Sequence, residues 1–103
     1  MIIGEWKEYK KELKGGKVET IGELKEYKAD DHMVFRADGI IENLRFELSF
    51  PYKLEGEFLY INKEKFLIEE LTNKRLIIVQ YSDEMPEDPL AFRSYYNRII
   101  DEN

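Results

Sequence analysis

From residue 32 onwards, apolar and polar residues alternate in short runs that are separated by turn-forming residues. The clearest run carries an apolar side chain at every second position, with charged or polar side chains between them: Leu44, Phe46, Leu48 and Phe50. Successive side chains of a strand point to opposite faces of the sheet, so this pattern predicts strands with one buried and one exposed face. We expect an antiparallel sheet built from such half-buried strands.

The residues between these runs are the ones that tight turns require. Asp38-Gly39 lies between two alternating runs, which is among the strongest short-range signals for a β-hairpin because both residues accept positive φ. Glu55-Gly56 and residues 62–64 and 72–74 mark three further turns. None of the gaps holds a crossover helix, so the strands are expected to pair antiparallel in sequence order.

Three positions interrupt the regular alternation. The first run, residues 2–13, keeps no period of two and also has helical spacing, but Gly4 and the aromatic residues favour a bulged strand. An extra residue at Glu69-Glu70 predicts a bulge in a later strand. Pro51, which lacks a backbone N–H, predicts the end of a strand or an edge strand.

Residues 15–31 form the least regular part of the chain. Thr20 and Glu23 have the spacing of a helix capping box, which favours a short helix near residues 20–28. Gly22 inside that segment weakens a helix. An extended segment crossing one end of the core therefore stays open as the alternative.

Closure of the sheet follows from the number of strands. About eight strands are predicted, including a last run at residues 90–100 that is rich in aromatic residues. An open sheet would expose edges that pair with other chains, and joining the last strand to the first removes them. The sequence thus predicts an all-β, up-and-down antiparallel barrel, as one domain over residues 1–103. Trp6, the one tryptophan, is expected to seal one end, since an indole buries roughly 150–250 Å².

Composition narrows the functional classes. The chain of 103 residues has no cysteine and one histidine, which excludes thiol chemistry and disfavours a histidine-built metal site. The net charge of −6 argues against partners such as nucleic acid or an anionic membrane surface. No run approaches the roughly 18 apolar residues of a membrane-spanning helix. An oligonucleotide-binding barrel is disfavoured by the charge and by the number of hairpins.

Four motifs, in their order and spacing, resemble the lipocalin-like domains of bacteria. They are Gly4-x-Trp6, Val34-Phe35-Arg36-Ala37-Asp38-Gly39, Tyr52-Lys53-Leu54-Glu55-Gly56 and Ile68-Glu69-Glu70-Leu71-Thr72-Asn73-Lys74-Arg75-Leu76. The resemblance implies an eight-stranded calycin-type barrel in which an arginine of the last strand packs on the tryptophan. Arg98 is the candidate for that arginine, and Arg93 is the alternative. The resemblance also implies a protein exported to the periplasm or cell envelope, of which this sequence would be a mature or trimmed form.

The sequence contains no recognisable catalytic motif. His32 has no serine or cysteine motif near it, and the serines lie in no nucleophile elbow: Ser49, Ser82 and Ser94. The acidic loop lacks the ordered spacing and the turn glycine of a calcium-binding loop: Asp83, Glu84, Glu87 and Asp88. We therefore expect no enzyme, no cofactor and no metal site.

Aromatic residues supply the best candidate for a function. Small-molecule pockets combine apolar walls with a few polar groups, and a barrel interior rich in phenylalanine and tyrosine fits that description. The expected function is non-enzymatic binding of a small hydrophobic ligand in or at the mouth of the barrel, by Phe35, Phe46, Tyr81 and Tyr96. The alternative is a protein-interaction or inhibitor module with a filled interior. Its binding surface would be the tyrosines of the last strand and the acidic loop at residues 82–89.

Overall fold

The structure, a computed structural model, describes residues 2–14, 32–44 and 46–99. These residues form a closed barrel in which every strand pairs antiparallel with its neighbours in sequence and the last strand pairs with the first. The strands are β1 (Gly4–Leu13), β2 (His32–Phe35), β3 (Ile40–Asn43), β4 (Leu48–Glu55), β5 (Phe58–Ile61), β6 (Glu64–Leu71), β7 (Arg75–Gln80) and β8 (Phe92–Ile99). The predicted all-β meander barrel is confirmed, and the described residues contain no helix. The short helix predicted near residues 20–28 lies outside the described residues.

The strand predicted through residues 44–50 is interrupted, so this part of the prediction is wrong. Leu44, Phe46 and Glu47 have turn geometry between β3 and β4, and Glu47 has a φ of 55°. The Oδ1 atom of Asn43 accepts a hydrogen bond from the backbone N–H of Phe46 at 3.2 Å. An asparagine side chain that bonds to the following backbone stabilises a turn in place of a strand.

Pro51 lies inside β4, in contrast to the predicted strand end or edge. The ladder between β4 and β5 begins one residue later, at the pair of Tyr52 and Ile61. The Pro51 carbonyl accepts a hydrogen bond from Asn62 N at 2.9 Å, beyond that first pair. A proline is tolerated here because its missing N–H faces the end of the ladder, where no strand pairing is lost.

Two bulges change the register of the barrel. The bulge predicted in β6 is confirmed at Glu69, and the irregular first strand has its bulge at Tyr9. Before Tyr9 the side chains of Trp6 and Glu8 are buried, and after it the side chain of Lys11 reaches the interior. The bulge explains why the first strand keeps no period of two.

One end of the barrel is closed and filled by side chains. Because the strands alternate in direction, this end carries the N-terminus and the β2–β3, β4–β5 and β6–β7 turns. Trp6 is 0% exposed there, and its Nε1 donates a hydrogen bond to the Ile2 carbonyl at 2.8 Å. The core that includes it is apolar, and its further members include Met33, Phe35, Ile41, Leu59, Leu76 and Ile78.

Arg98 of β8 covers the indole of Trp6. Its Cζ atom lies 4.3 Å from the ring centroid, and its Nε and Nη1 donate hydrogen bonds to the carbonyls of Asn73 and Ile3, each at 2.7 Å. Gly4 has a φ of 138°, and a Cβ atom there would collide with Nη1 of Arg98. The arginine therefore connects β1, β8 and the β6–β7 turn across the closed end.

Arg93, the alternative for that position, lies on the outer face of the barrel. It binds the Glu69 carboxylate through Nε and Nη2, at 2.5 and 3.1 Å, and donates from Nη1 to Glu12 at 3.1 Å. The Tyr95 hydroxyl donates to the same Glu12 oxygen at 2.6 Å. This outer cluster of Glu12, Glu69, Arg93 and Tyr95 joins β1, β6 and β8.

Candidate functional site

The opposite end of the barrel contains a cavity of about 400 Å³ that opens to solvent. Each of the eight strands contributes at least one side chain to its wall. The apolar part of the wall includes Met33, Ile41, Phe50, Ile61, Phe66 and Ile78. The volume falls in the range of about 300–1,000 Å³ that is typical of small-molecule sites.

The strand pattern explains why the cavity lies at this end. On β7 the inward residues run from Leu76 in the filled core through Ile78 in the cavity wall to Gln80 at the mouth. On β8 the inward residue between Tyr96 and Phe92 is Ser94, whose small side chain leaves space. On both strands a small or polar inward residue thus follows the large side chains nearer the closed end, so the core does not fill the whole barrel.

A charged side chain lines the cavity at an inward position of β1. Lys11 of β1 and Ser94 of β8 are register partners, so their side chains lie next to each other inside the barrel. The Lys11 Nζ is 3.7 Å from Glu8 Oε2 and 5.8 Å from the ring centroid of Phe92. The Glu8 side chain is 0% exposed and the Lys11 side chain is 19% exposed. The carboxylate is therefore covered, and the ammonium is the charged group that reaches the cavity.

Sequence reasoning missed Glu8 and Lys11. In the sequence they belong to a run of alternating charges that is typical of a solvated face. Residues three apart on a regular strand point to opposite faces, and only the bulge at Tyr9 brings both side chains inside. The broken period of the first strand indicated a bulge, but no glycine or proline marked its position.

The four aromatic residues predicted to bind a ligand lie in four separate environments. Tyr96 lines the cavity. Phe35 is buried in the core of the closed end. Phe46 is 56% exposed in the β3–β4 turn, and Tyr81 follows β7 on the outer face, where its ring lies 5.0 Å from the Lys65 ammonium. The structure therefore brings one of the four to the cavity.

Tyr81 belongs to a cluster of rings around Lys65. The Lys65 Nζ lies 4.2 Å from the ring centroid of Phe58 and 5.6 Å from that of Tyr60, in addition to its contact with Tyr81. It also binds Oδ1 of Asp83 at 2.9 Å, and this hydrogen bond raises the pKa of Lys65. These contacts hold the β7–β8 loop against the outer face of the sheet.

Other residues that were weighed for chemistry also have partners within the chain. The Nε2 atom of His32 contacts Oε2 of Glu5 across the β1–β2 pair. In the acidic loop, Glu87 pairs with Lys14 at 3.5 Å. Across the part of the chain that the structure describes, no group of three or more acidic or histidine side chains is arranged to hold a metal ion.

Comparison with models of known protein families, with curated proteins and with solved structures found no match. The eight-stranded antiparallel barrel is compatible with a calycin-type fold. Membership in a bacterial lipocalin-like family stays a prediction from the four motifs. Residues 2–14, 32–44 and 46–99 include no helix long and apolar enough to cross a membrane.

Proposed function

We propose that this protein binds a small, largely apolar molecule in the open end of its barrel and does not transform it. The observation that carries the proposal is the cavity of about 400 Å³, which combines apolar side chains with polar groups in its wall. The charged side chains in its lining are Lys11, Lys63 and Glu64. That the ligand is not transformed is the part of the proposal that rests on the sequence, in which the serines lie in no nucleophile elbow.

The expected affinity is modest. Burial of about 200 Å² of apolar ligand surface would contribute about 5 kcal/mol, from which the cost of association is subtracted. A free energy of about 5 kcal/mol corresponds to a dissociation constant of about 0.2 mM, and the cost of association makes the binding weaker than that. Binding measurements should therefore extend to ligand concentrations of about 1 mM.

The alternative function, a protein-interaction or inhibitor module, was expected to have a filled interior. The closed end fits this description, whereas the cavity at the open end favours a ligand. One observation keeps a protein partner as the second candidate. Met85 and Leu90 on the β7–β8 loop are 56% and 71% exposed, so this loop presents two large apolar side chains to solvent.

A dye titration tests the proposed function. The neutral dye N-phenyl-naphthylamine should bind saturably, with a rise in its emission. Ile61→Trp should weaken that binding by about tenfold or more, because the larger side chain enters the cavity. Tyr60→Trp is the matched control, since the neighbouring residue of β5 lies on the outer face against Lys65 and its substitution should leave the affinity unchanged.

Two results would contradict the proposal. One is the absence of saturable binding up to about 1 mM dye. The other is equal affinity of the parent protein and both tryptophan variants, which would place the dye outside the cavity. Circular dichroism of each variant establishes that the barrel is intact before affinities are compared.

A further inference from the structure

We infer that the ligand carries an anionic head group, most simply a carboxylate, which binds the Lys11 ammonium while the apolar chain lies against the opposite wall. This inference rests on the proposed function and extends it by naming a ligand class, namely single-chain amphiphiles with one negative charge. Its basis is the position of Lys11, a charged side chain on an inward position of β1, whereas the other charged residues of the lining lie at the mouth.

An ammonium, rather than a carboxylate, faces a molecule inside the cavity. Lys11 occupies an inward position of β1, and Glu8 beside it is sealed from solvent. The other charged lining residues, Lys63 and Glu64, lie at the mouth, in the β5–β6 turn and at the first position of β6. The ligand group that enters deepest next to β1 therefore meets a positive charge.

The Lys11 ammonium can donate hydrogen bonds to a ligand. It carries three N–H donors, and within the described residues it forms an ion pair with Glu8 at 3.7 Å but no hydrogen bond. A carboxylate placed beside it would accept charge-assisted hydrogen bonds, which are about twice as strong as neutral ones. The hydroxyl of Ser94, the register partner of Lys11, adds a donor at the same place.

The same geometry disfavours a cationic head group and gives a neutral one an intermediate affinity. An amine would lie next to the Lys11 ammonium and could not reach the covered carboxylate of Glu8. An alcohol would accept a hydrogen bond without the help of charge. Because Glu8 already offsets part of the positive charge of Lys11, the preference for a carboxylate over an alcohol should be about tenfold rather than many thousandfold.

Three probes of equal chain length test the inference on the unmodified protein. Decanoate, decanol and decyltrimethylammonium are titrated at neutral pH, below micelle formation, by displacement of N-phenyl-naphthylamine. Decanoate should bind about tenfold more tightly than decanol, and decyltrimethylammonium more weakly than decanol. Equal affinities of decanoate and decanol, or a preference for the cation, would overturn the carboxylate assignment and leave the proposed function standing. Failure of all three probes and of the dye to bind would overturn the proposed function itself.

Substitution of Lys11 tests whether this residue is responsible for the preference for decanoate. Lys11→Met replaces the ammonium with an unbranched, uncharged side chain and should remove the preference for decanoate while decanol binding is retained. Glu8→Gln/Lys11→Met avoids a lone buried carboxylate and gives the same readout where the single variant does not fold. Lys7→Met is the matched control, because Lys7 is exposed on the same strand and its loss should leave the preference intact. A folded Lys11→Met or double variant that still prefers decanoate would overturn the inference.

Discussion

At the closed end of the barrel, three residues depend on one another for their positions. Trp6 is buried with its N–H bonded to a carbonyl, and the Arg98 guanidinium covers one face of its ring. A cation over an indole contributes roughly 0.5–2 kcal/mol. Gly4 lies where the guanidinium passes β1, and any side chain there would occupy the space of Nη1. The Gly4-x-Trp6 motif is therefore explained by close packing against an arginine of the last strand.

This dependence predicts energetic coupling between Gly4 and Arg98. Gly4→Ala should destabilise the protein by about 1–3 kcal/mol, because it adds strain at positive φ and displaces the guanidinium. When Arg98 is already replaced by alanine, there is no guanidinium to displace. Gly4→Ala should then destabilise the protein by about 1 kcal/mol less. Urea unfolding of the four proteins in the double-mutant cycle measures the coupling.

Gly39→Ala provides the matched control for this cycle. Gly39 has a φ of 84°, but a Cβ atom there would meet no heavy atom within 4 Å. Its substitution should therefore cost backbone strain that is the same with and without Arg98. Additive effects of Gly4→Ala and Arg98→Ala, within about 0.3 kcal/mol, would contradict the packing that we describe.

The place of a residue in the barrel could be predicted from the sequence where the size or the identity of its side chain alone decided it. Trp6 was expected at a closed end because of its large apolar surface, and the family motifs pointed to Arg98. Alternation places a side chain inside the barrel but does not say how far along the axis it lies. For that reason Phe35 and Tyr96 looked equivalent in the sequence, although one is in the closed-end core and the other lines the cavity.

At the scale of the elements, the pairing of β1 with β8 closes the barrel. On their outer face, the hydrogen bond from Tyr95 and the ion pair from Arg93 converge on Glu12. Burial and the hydrogen bond to Glu12 raise the pKa of Tyr95 to about 12. Burial opposes the charged form of Glu12, but the hydrogen bonds from Tyr95 and Arg93 outweigh it and lower its pKa.

The raised pKa of Tyr95 predicts a loss of stability in alkaline solution. The phenol is bonded more favourably in the folded state, so its contribution is complete below pH 10 and is lost as the pH rises from 10 through about 12. Urea unfolding between pH 8 and pH 11 should show a decline that is smaller in Tyr95→Phe. Tyr9→Phe is the matched control, with a ring 5.9 Å away, and should decline as the parent does. Identical declines in Tyr95→Phe and the parent would show that the outer cluster does not contribute to closure.

Turn chemistry determined which elements could be predicted. The hairpin at Asp38-Gly39 was recognisable because a glycine supplies the positive φ, which the structure confirms at Gly39. The turn between β3 and β4 has no glycine or proline at its described residues Leu44, Phe46 and Glu47 and depends on the Asn43 side chain, so its apolar residues resembled a strand in the sequence. The bulge at Tyr9 was hidden for the same reason, and with it the inward direction of Lys11.

At the scale of the whole molecule, closure and filling are separate properties. Closure follows from the number of hairpins and from the cost of exposed sheet edges, and the sequence carries both signals. Incomplete filling depends on where small or polar inward residues fall along the axis, such as Ser94 on β8 and Asn43 on β3. The alternation of apolar and polar residues does not give the position of a side chain along the barrel axis. The sequence alone therefore could not show whether the barrel holds a cavity.

Isoleucine methyl NMR tests the cavity as a binding site most directly. Ile41, Ile61 and Ile78 line the cavity, whereas Ile77 and Ile99 lie on the outer face of β7 and β8. With N-phenyl-naphthylamine added stepwise, we expect saturable shifts of the first three methyl signals, enlarged by the ring currents of the dye, and unchanged signals from Ile77 and Ile99. Saturable shifts on the outer face alone, or none at all up to about 1 mM dye, would contradict ligand binding inside the barrel.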